Sequence, residues 1–243
     1  METIPESILR RTGPTTKELS LASGLAAVYV VSSFLPLTPF IGGPAFITIA
    51  IVMVPVIAAL LRPLMATLTV GVGTLGMALA QTGLFQVFGF PGLLIPVGAV
   101  ALGSLAFHYR WGPIVPWVYV LIGAIYYLLY SMGGTYFWLI PYALVILALP
   151  VVLRVKGTYR VGGLALYTAM SEQVTMNILS IALLGLVGPV WSVITPFMFS
   201  ERALATLGGT LIIVALKSRL GSWVGLEEPS LVEVNSRVCV LQQ

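Results

Sequence analysis

The sequence predicts an all-α protein: a polytopic bundle of transmembrane helices with about eight apolar segments and both termini in the cytoplasm. Three observations lead there. The chain is 58% hydrophobic and 8% charged, with a mean hydropathy of +1.03, whereas an ordinary soluble domain is roughly a quarter charged. So few charges cannot clothe a water-facing surface. Long apolar runs recur along the whole chain between two polar ends. Lys and Arg then fall in alternate gaps between those runs, the pattern produced when basic loops are retained on the cytoplasmic side.

A helix that crosses a bilayer needs about 20 largely apolar residues, because hydrocarbon offers its backbone no other hydrogen-bond partner. Eight stretches meet or approach that length: 18–36, 44–61, 64–86, 92–107, 113–131, 136–153, 163–188 and 197–216. The gaps carry turn chemistry, as in TPFIGGP (38–44), RP (62–63), FGFPG (88–92), RWGP (110–113), SMGG (131–134) and GP (188–189). The fourth run is short and, with Pro91 and Pro96, is open to a re-entrant reading. The chain thus divides into a cytoplasmic lead (1–17), one transmembrane domain (18–219) and a cytoplasmic tail (220–243). Residues 18–36 exceed the apolar core of a secretion signal and lack a small-x-small cleavage site, so they are expected to stay.

With the N-terminus inside, the cytoplasmic segments hold Arg10, Arg11, Lys17, Arg62, Arg110, Arg154, Lys156, Arg160, Lys217, Arg219 and Arg237. That is every basic residue except Arg202, which directly follows Glu201. Trp111, Trp117 and Trp223 near the inner face, and Trp138 and Trp191 near the outer, fit interfacial belts. Cys239, the single cysteine, lies in the tail and excludes an intrachain disulfide. His108, the single histidine, flanks Arg110 at the end of an apolar run and reads as an interfacial residue.

The stretch VGVGTLGMALAQTG (70–83) contains the G-x-G-x-x-G spelling of a dinucleotide loop. That loop requires a preceding strand and an acid about 20 residues later. Here the glycines lie inside an apolar run, and no acid occurs between Glu18 and Glu172. On a helix, Ala66, Thr69, Gly73, Gly76, Ala80 and Gly83 instead form one small-residue stripe at steps of three and four, suited to close helix packing in lipid. Ala22 and Ala26 in the first span form a shorter small-xxx-small pair.

Polar groups inside a spanning helix need a protein partner, a ligand or water. In the seventh span, Thr168, Ser171, Glu172 and Thr175 fall on one side, while Gln173, Asn177 and Ser180 fall on another. Two polar faces imply a helix surrounded by protein. Glu172 is the first candidate for ligand contact; its alternative is a salt bridge near Arg160 at the cytoplasmic interface. Toward the outer face, Gln81, Gln86, Tyr126, Tyr127, Tyr130, Tyr136, Trp138, Tyr142 and Trp191 are read either as interfacial anchors or as the wall of a cavity. An aromatic pocket with few polar groups suits a small planar or amphipathic ligand. Glu201 and Arg202 either neutralise each other near the outer surface or offer a charged pair to a ligand. The substrate-binding candidates are therefore Glu172, Gln173, Asn177, Gln81, Trp138, Trp191 and Glu201. Without Asp, GxSxG, HExxH, a P-loop or paired intramembrane carboxylates, no enzymatic activity, metal or cofactor is expected, and no nucleic-acid partner.

TKELSLASGLAAVYVVSSFLP, PAFITIAIVMVPVIAALLRPLMATLTVGVGTLG and PFMFSERALATLGGTLIIVALKSRL together resemble the substrate-binding S components of energy-coupling factor (ECF) transporters. The resemblance covers roughly the first 80 spanning residues and the final helix. It implies a membrane receptor for a vitamin or other micronutrient, docking on a T-type membrane scaffold driven by ABC ATPase subunits. It also implies that Ala22 and Ala26 contact the scaffold, and that TPFIGG (38–43) lids the ligand. A six-helix S-component-like core would then carry 111–153 as an extra hairpin. The expected location is the cell membrane. Two other readings stand beside this one: a stand-alone proton-coupled carrier using Glu172, and a structural or assembly membrane protein without a ligand.

Overall fold

The computed structural model of the chain describes residues 14–80 and 85–224. Along it run α1 (Thr16–Ser32), a hairpin of β1 (Pro36–Pro39) and β2 (Phe46–Thr48), α2 (Ala50–Leu60), α3 (Pro63–Leu79) and the single turn α4 (Phe85–Phe88). A 3-10 turn (Phe90–Leu93) then leads into α5 (Leu94–His108), followed by α6 (Ile114–Tyr130). A second 3-10 turn (Tyr136–Leu139) opens α7 (Ile140–Arg154), and α8 (Gly157–Leu184) and α9 (Val190–Val224) complete the bundle. Three helical stretches, Phe90–His108, Tyr136–Arg154 and Val190–Arg219, are long and apolar enough to cross a membrane; 50–60, 63–79 and 114–130 form shorter apolar helices. The exterior is apolar too, with Leu68 and Leu75 on α3, Ile122 and Leu129 on α6, Leu147 on α7 and Leu211 on α9 all exposed. An extended apolar exterior is what lipid solvates and water does not.

Helix α8 forms the axis because its sequence leaves it no lipid-facing side. Apart from half-buried Leu166, polar and apolar residues alike from Leu164 to Val174 are buried, and α2, α5, α6, α7 and α9 surround the helix. Small residues on those neighbours allow the approach: a Cβ on Gly123 of α6 would lie 2.6 Å from Val174, and one on Gly103 of α5 would collide with Thr168. α9 reaches α2 in the same way, Gly209 lying against the ring of Pro55. At its far end α8 closes on Gly185, whose φ of 61° is the left-handed conformation glycine adopts without cost.

The small-residue stripe of α3 faces α1. Ala66, Thr69 and Gly73 are buried, Gly76 is half-buried and Ala80 is exposed. Gly83 and Gln81 lie outside the described residues. A Cβ on Gly73 would stand 2.7 Å from the ring of Tyr29, while one on Gly76 would meet Val30 at an ordinary 3.6 Å. The pair Ala22 and Ala26 belongs to this same contact: Ala22 is buried in the α1–α2–α3 core and the Ala26 carbonyl lies beside Gly73. At the start of both helices, Arg62 donates to Glu18 through Nε (3.1 Å) and Nη2 (2.6 Å), fixing α1 and α3 side by side and parallel.

Three expectations change. The all-α assignment misses a two-stranded hairpin, in which Pro36 pairs with Thr48 and Pro39 with Phe46. Proline is admissible there because each strand of a two-stranded sheet has a free edge. The apolar run that begins at 44 consequently becomes helical only at Ala50. Of the two readings given for Trp138 and Trp191, interfacial belt or cavity wall, the belt does not hold: they are 0% and 1% exposed and belong to the core. The last helix begins well before 197, once Gly188 and Pro189 have turned the chain, and continues past the expected boundary at 219.

Gly73→Ala is expected to lower stability by about 1–3 kcal/mol, because the Tyr29 ring must shift. Gly76→Ala, with room for its methyl and a better helix former in place, should leave stability unchanged or raise it. Thermal unfolding of the two purified variants checks this contrast; equal midpoints would rule out the Gly73–Tyr29 seam.

Candidate functional site

A buried ion cluster lies at the centre of the site. Arg202 of α9 is 3% exposed. Its Nη1 donates to the Ala169 carbonyl and to Glu172 Oε2 of α8, both at 2.9 Å. Nη2 stands 3.7 Å from Glu201 Oε2, beyond hydrogen-bond reach. Successive helical residues point about 100° apart, so Arg202 turns to α8 while Glu201 turns to the hairpin, where Oε1 accepts the hydroxyl of Thr38.

This arrangement corrects two expectations. Glu172 pairs with Arg202 inside the bundle and not with Arg160 at an interface. Arg202, expected to be neutralised by Glu201 near the outer surface or offered with it to a ligand, is a core residue whose close carboxylate partner is Glu172. Burying either ion alone would be strongly unfavourable.

Two cavities flank the cluster beneath the hairpin. The first lies between α1, α3 and β2; Tyr29, Thr74, Met77, Phe46 and Phe85 line it, with Glu172 in its wall. The second is lined by Phe40 of the hairpin turn, Trp138, Trp191, Gln173, Asn177 and Glu201. Ile47 of β2 lines both. The hairpin is anchored across them: Thr38 bonds Glu201, the Phe40 ring meets Phe88 edge-on at 5.4 Å, and Gly43 packs on Val87. In the first cavity, Tyr29 and Thr74 set their hydroxyls 3.5 Å apart.

The second cavity has an aromatic and amide wall. Trp138 and Trp191 cross at 60° with centroids 4.9 Å apart, and Tyr127 touches both rings. An indole N–H can only donate. That settles the orientation of Asn177: its Oδ1 accepts from Trp138 Nε1 at 2.8 Å and from the Tyr142 hydroxyl. Its Nδ2 then faces the side-chain amide of Gln173 at 2.8 Å, which turns the Gln173 oxygen toward Asn177 and leaves the other end of that amide without a partner. Trp191 Nε1 and Arg202 Nε are likewise buried without partners.

The structure therefore gathers Gln173, Asn177, Trp138, Trp191 and Glu201 around one cavity and sets Glu172 on the other. Gln81 lies outside the described residues. Ala66, Thr69, Gly73, Gly76, Ala80, Ala22 and Ala26 line neither cavity. Tyr29 and Thr74 were not singled out in the sequence; Thr38 and Phe40 entered only as part of the implied lid TPFIGG (38–43), and Arg202 only as the neighbour of Glu201, in a pair near the outer surface or offered to a ligand. An arginine embedded in an otherwise apolar run was the available signal, since such a residue nearly always faces a partner inside the bundle.

No family model matches this chain, and neither a curated protein nor a solved structure matches it.

Asn177→Leu should destabilise the protein by about 1–3 kcal/mol, since it leaves the Trp138 indole and the Tyr142 hydroxyl buried without their acceptor. Thermal melts followed by tryptophan emission measure this. A variant as stable as the parent would refute the assigned network.

Proposed function

We propose that the chain is a solute-binding membrane protein that works as the substrate-binding subunit of an ECF-type micronutrient uptake transporter. One observation carries the reading: two cavities lie under a hairpin that closes over one end of the helix bundle, and buried polar side chains without partners line the second of them. A purely structural bundle has no use for such groups, because each costs about 1–3 kcal/mol when left unsatisfied. A ligand that supplies the missing partners recovers that cost.

In this reading the eight longer helices cross the membrane with both termini in the cytoplasm, and the hairpin faces outward. On this reading the hairpin acts as the lid that the S-component resemblance implies, and α6 with α7, which pack on α8, would be the additional pair. Transport requires a T-type scaffold and ABC ATPase subunits as partners. Ala22 and Ala26 are engaged with α3, so scaffold docking would use another part of α1 or require α1 to move.

A second reading has its own observation: the Glu172 carboxylate lies in the wall of the first cavity, where a proton-coupled carrier would keep its exchanging group. Uptake driven by a pH gradient in proteoliposomes of this chain alone, lost in Glu172→Gln, would favour that carrier over the ATPase-driven subunit.

Protein purified gently in nanodiscs is expected to retain a small organic molecule detectable by mass spectrometry, and Trp191→Ala is expected to lose it. Purification from native membranes should bring an ATPase and a membrane scaffold with it. A protein that retains no small molecule and travels alone would contradict the transport reading and favour a structural role.

A further inference from the structure

The ion cluster is unbalanced, and the imbalance faces the second cavity. Glu172 and Glu201 share one guanidinium, and Arg202 directs its close bonds to α8, at 2.9 Å from Glu172 and from the Ala169 carbonyl. Glu201 is left with the Thr38 hydroxyl and a guanidinium nitrogen at 3.7 Å. A carboxylate has about four lone-pair sites, so a 3% exposed Glu201 is poorly satisfied. Arg202 lines neither cavity, whereas Glu201 lines the second. A solute entering there meets the carboxylate and not the guanidinium.

The rest of that wall narrows the chemistry. Trp138, Trp191 and Phe40 supply aromatic surface, which attracts cations through the ring quadrupole and most strongly where water is excluded. Trp191 Nε1 and one end of the Gln173 side-chain amide are buried there without partners. Both residues are at least nine-tenths buried, at 1% and 0% exposure. The cavity thus presents aromatic surface and one carboxylate to a positive charge.

We propose that the second cavity binds a small organic cation: a planar ring, seated against Trp138 and Trp191, whose protonated amine or cationic nitrogen meets Glu201. This rests on the solute-binding reading above and specifies its ligand class.

The test uses two matched probe sets with the full-length protein in nanodiscs at neutral pH: 3-(aminomethyl)pyridine, 3-methylpyridine and nicotinate, then tryptamine, 3-methylindole and indole-3-acetate. Calorimetry measures each up to millimolar concentration, and mass spectrometry identifies any molecule retained from the membrane. The cation of each set should bind about tenfold or more tightly than its neutral mate, with the anion weakest. A retained molecule should be cationic, and Glu201→Gln should bring the cation-to-neutral ratio close to one. The comparison on the parent protein does not depend on that variant folding. Saturable binding in which the neutral or anionic probe equals the cation, or a retained molecule that is neutral or anionic, overturns the cation assignment and leaves the solute-binding reading standing. No saturable binding by any probe and no retained molecule overturns both.

Discussion

The fold is organised around a charge that cannot be left alone. An arginine in the interior of a helix bundle is tolerated when a carboxylate meets it at hydrogen-bond distance, because low dielectric magnifies both the penalty of the unpaired ion and the attraction of the paired one. Arg202 meets Glu172 in that way, joining α9 to α8, the helix on which α2, α5, α6 and α7 also pack. The adjacent Glu201 extends the cluster to Thr38, so the hairpin that closes the end of the bundle is tied to the same group of charges. Axis, last helix and cover are held in register by four side chains.

Close approach is the second constraint. In lipid there is little hydrophobic drive between helices, so contact depends on shape. Gly73 under Tyr29, Gly103 under Thr168, Gly123 under Val174 and Gly209 under Pro55 each replace a side chain with a neighbour's surface. The consequence for function is positional. With α3, α5, α6 and α9 drawn in by these contacts, the residual space lies toward the hairpin end, where bulky Trp138 and Trp191 hold the helices apart around a cavity.

Much of this was legible in the sequence. Scarcity of charge marked the apolar bundle, and the two polar faces of 163–188 identified the central helix, because a span with polar groups all round has to be enclosed. Gln173, Asn177, Trp138, Trp191 and Glu201 were each recognisable as polar or aromatic residues in apolar surroundings. Their convergence on one cavity was not, since side chains from α8, α9 and the turn before α7 meet through tertiary packing alone. The Arg202–Glu172 pair was missed for the same reason: the partners stand 30 residues apart, while Arg160 offered a nearer partner in sequence. The hairpin was hidden because LPLTPF carries the prolines that ordinarily argue against a strand.

A double-mutant cycle on Arg202 and Glu172 tests this account most directly, using Arg202→Met, Glu172→Gln and the combined variant, with stability measured by reversible unfolding in detergent. If the buried pair organises the bundle, Arg202→Met alone should cost about 3–5 kcal/mol by leaving two carboxylates without their cation, and adding Glu172→Gln should restore a large part of that loss. Additive effects, with no recovery in the combined variant, would show that the two side chains do not depend on one another and would contradict the account.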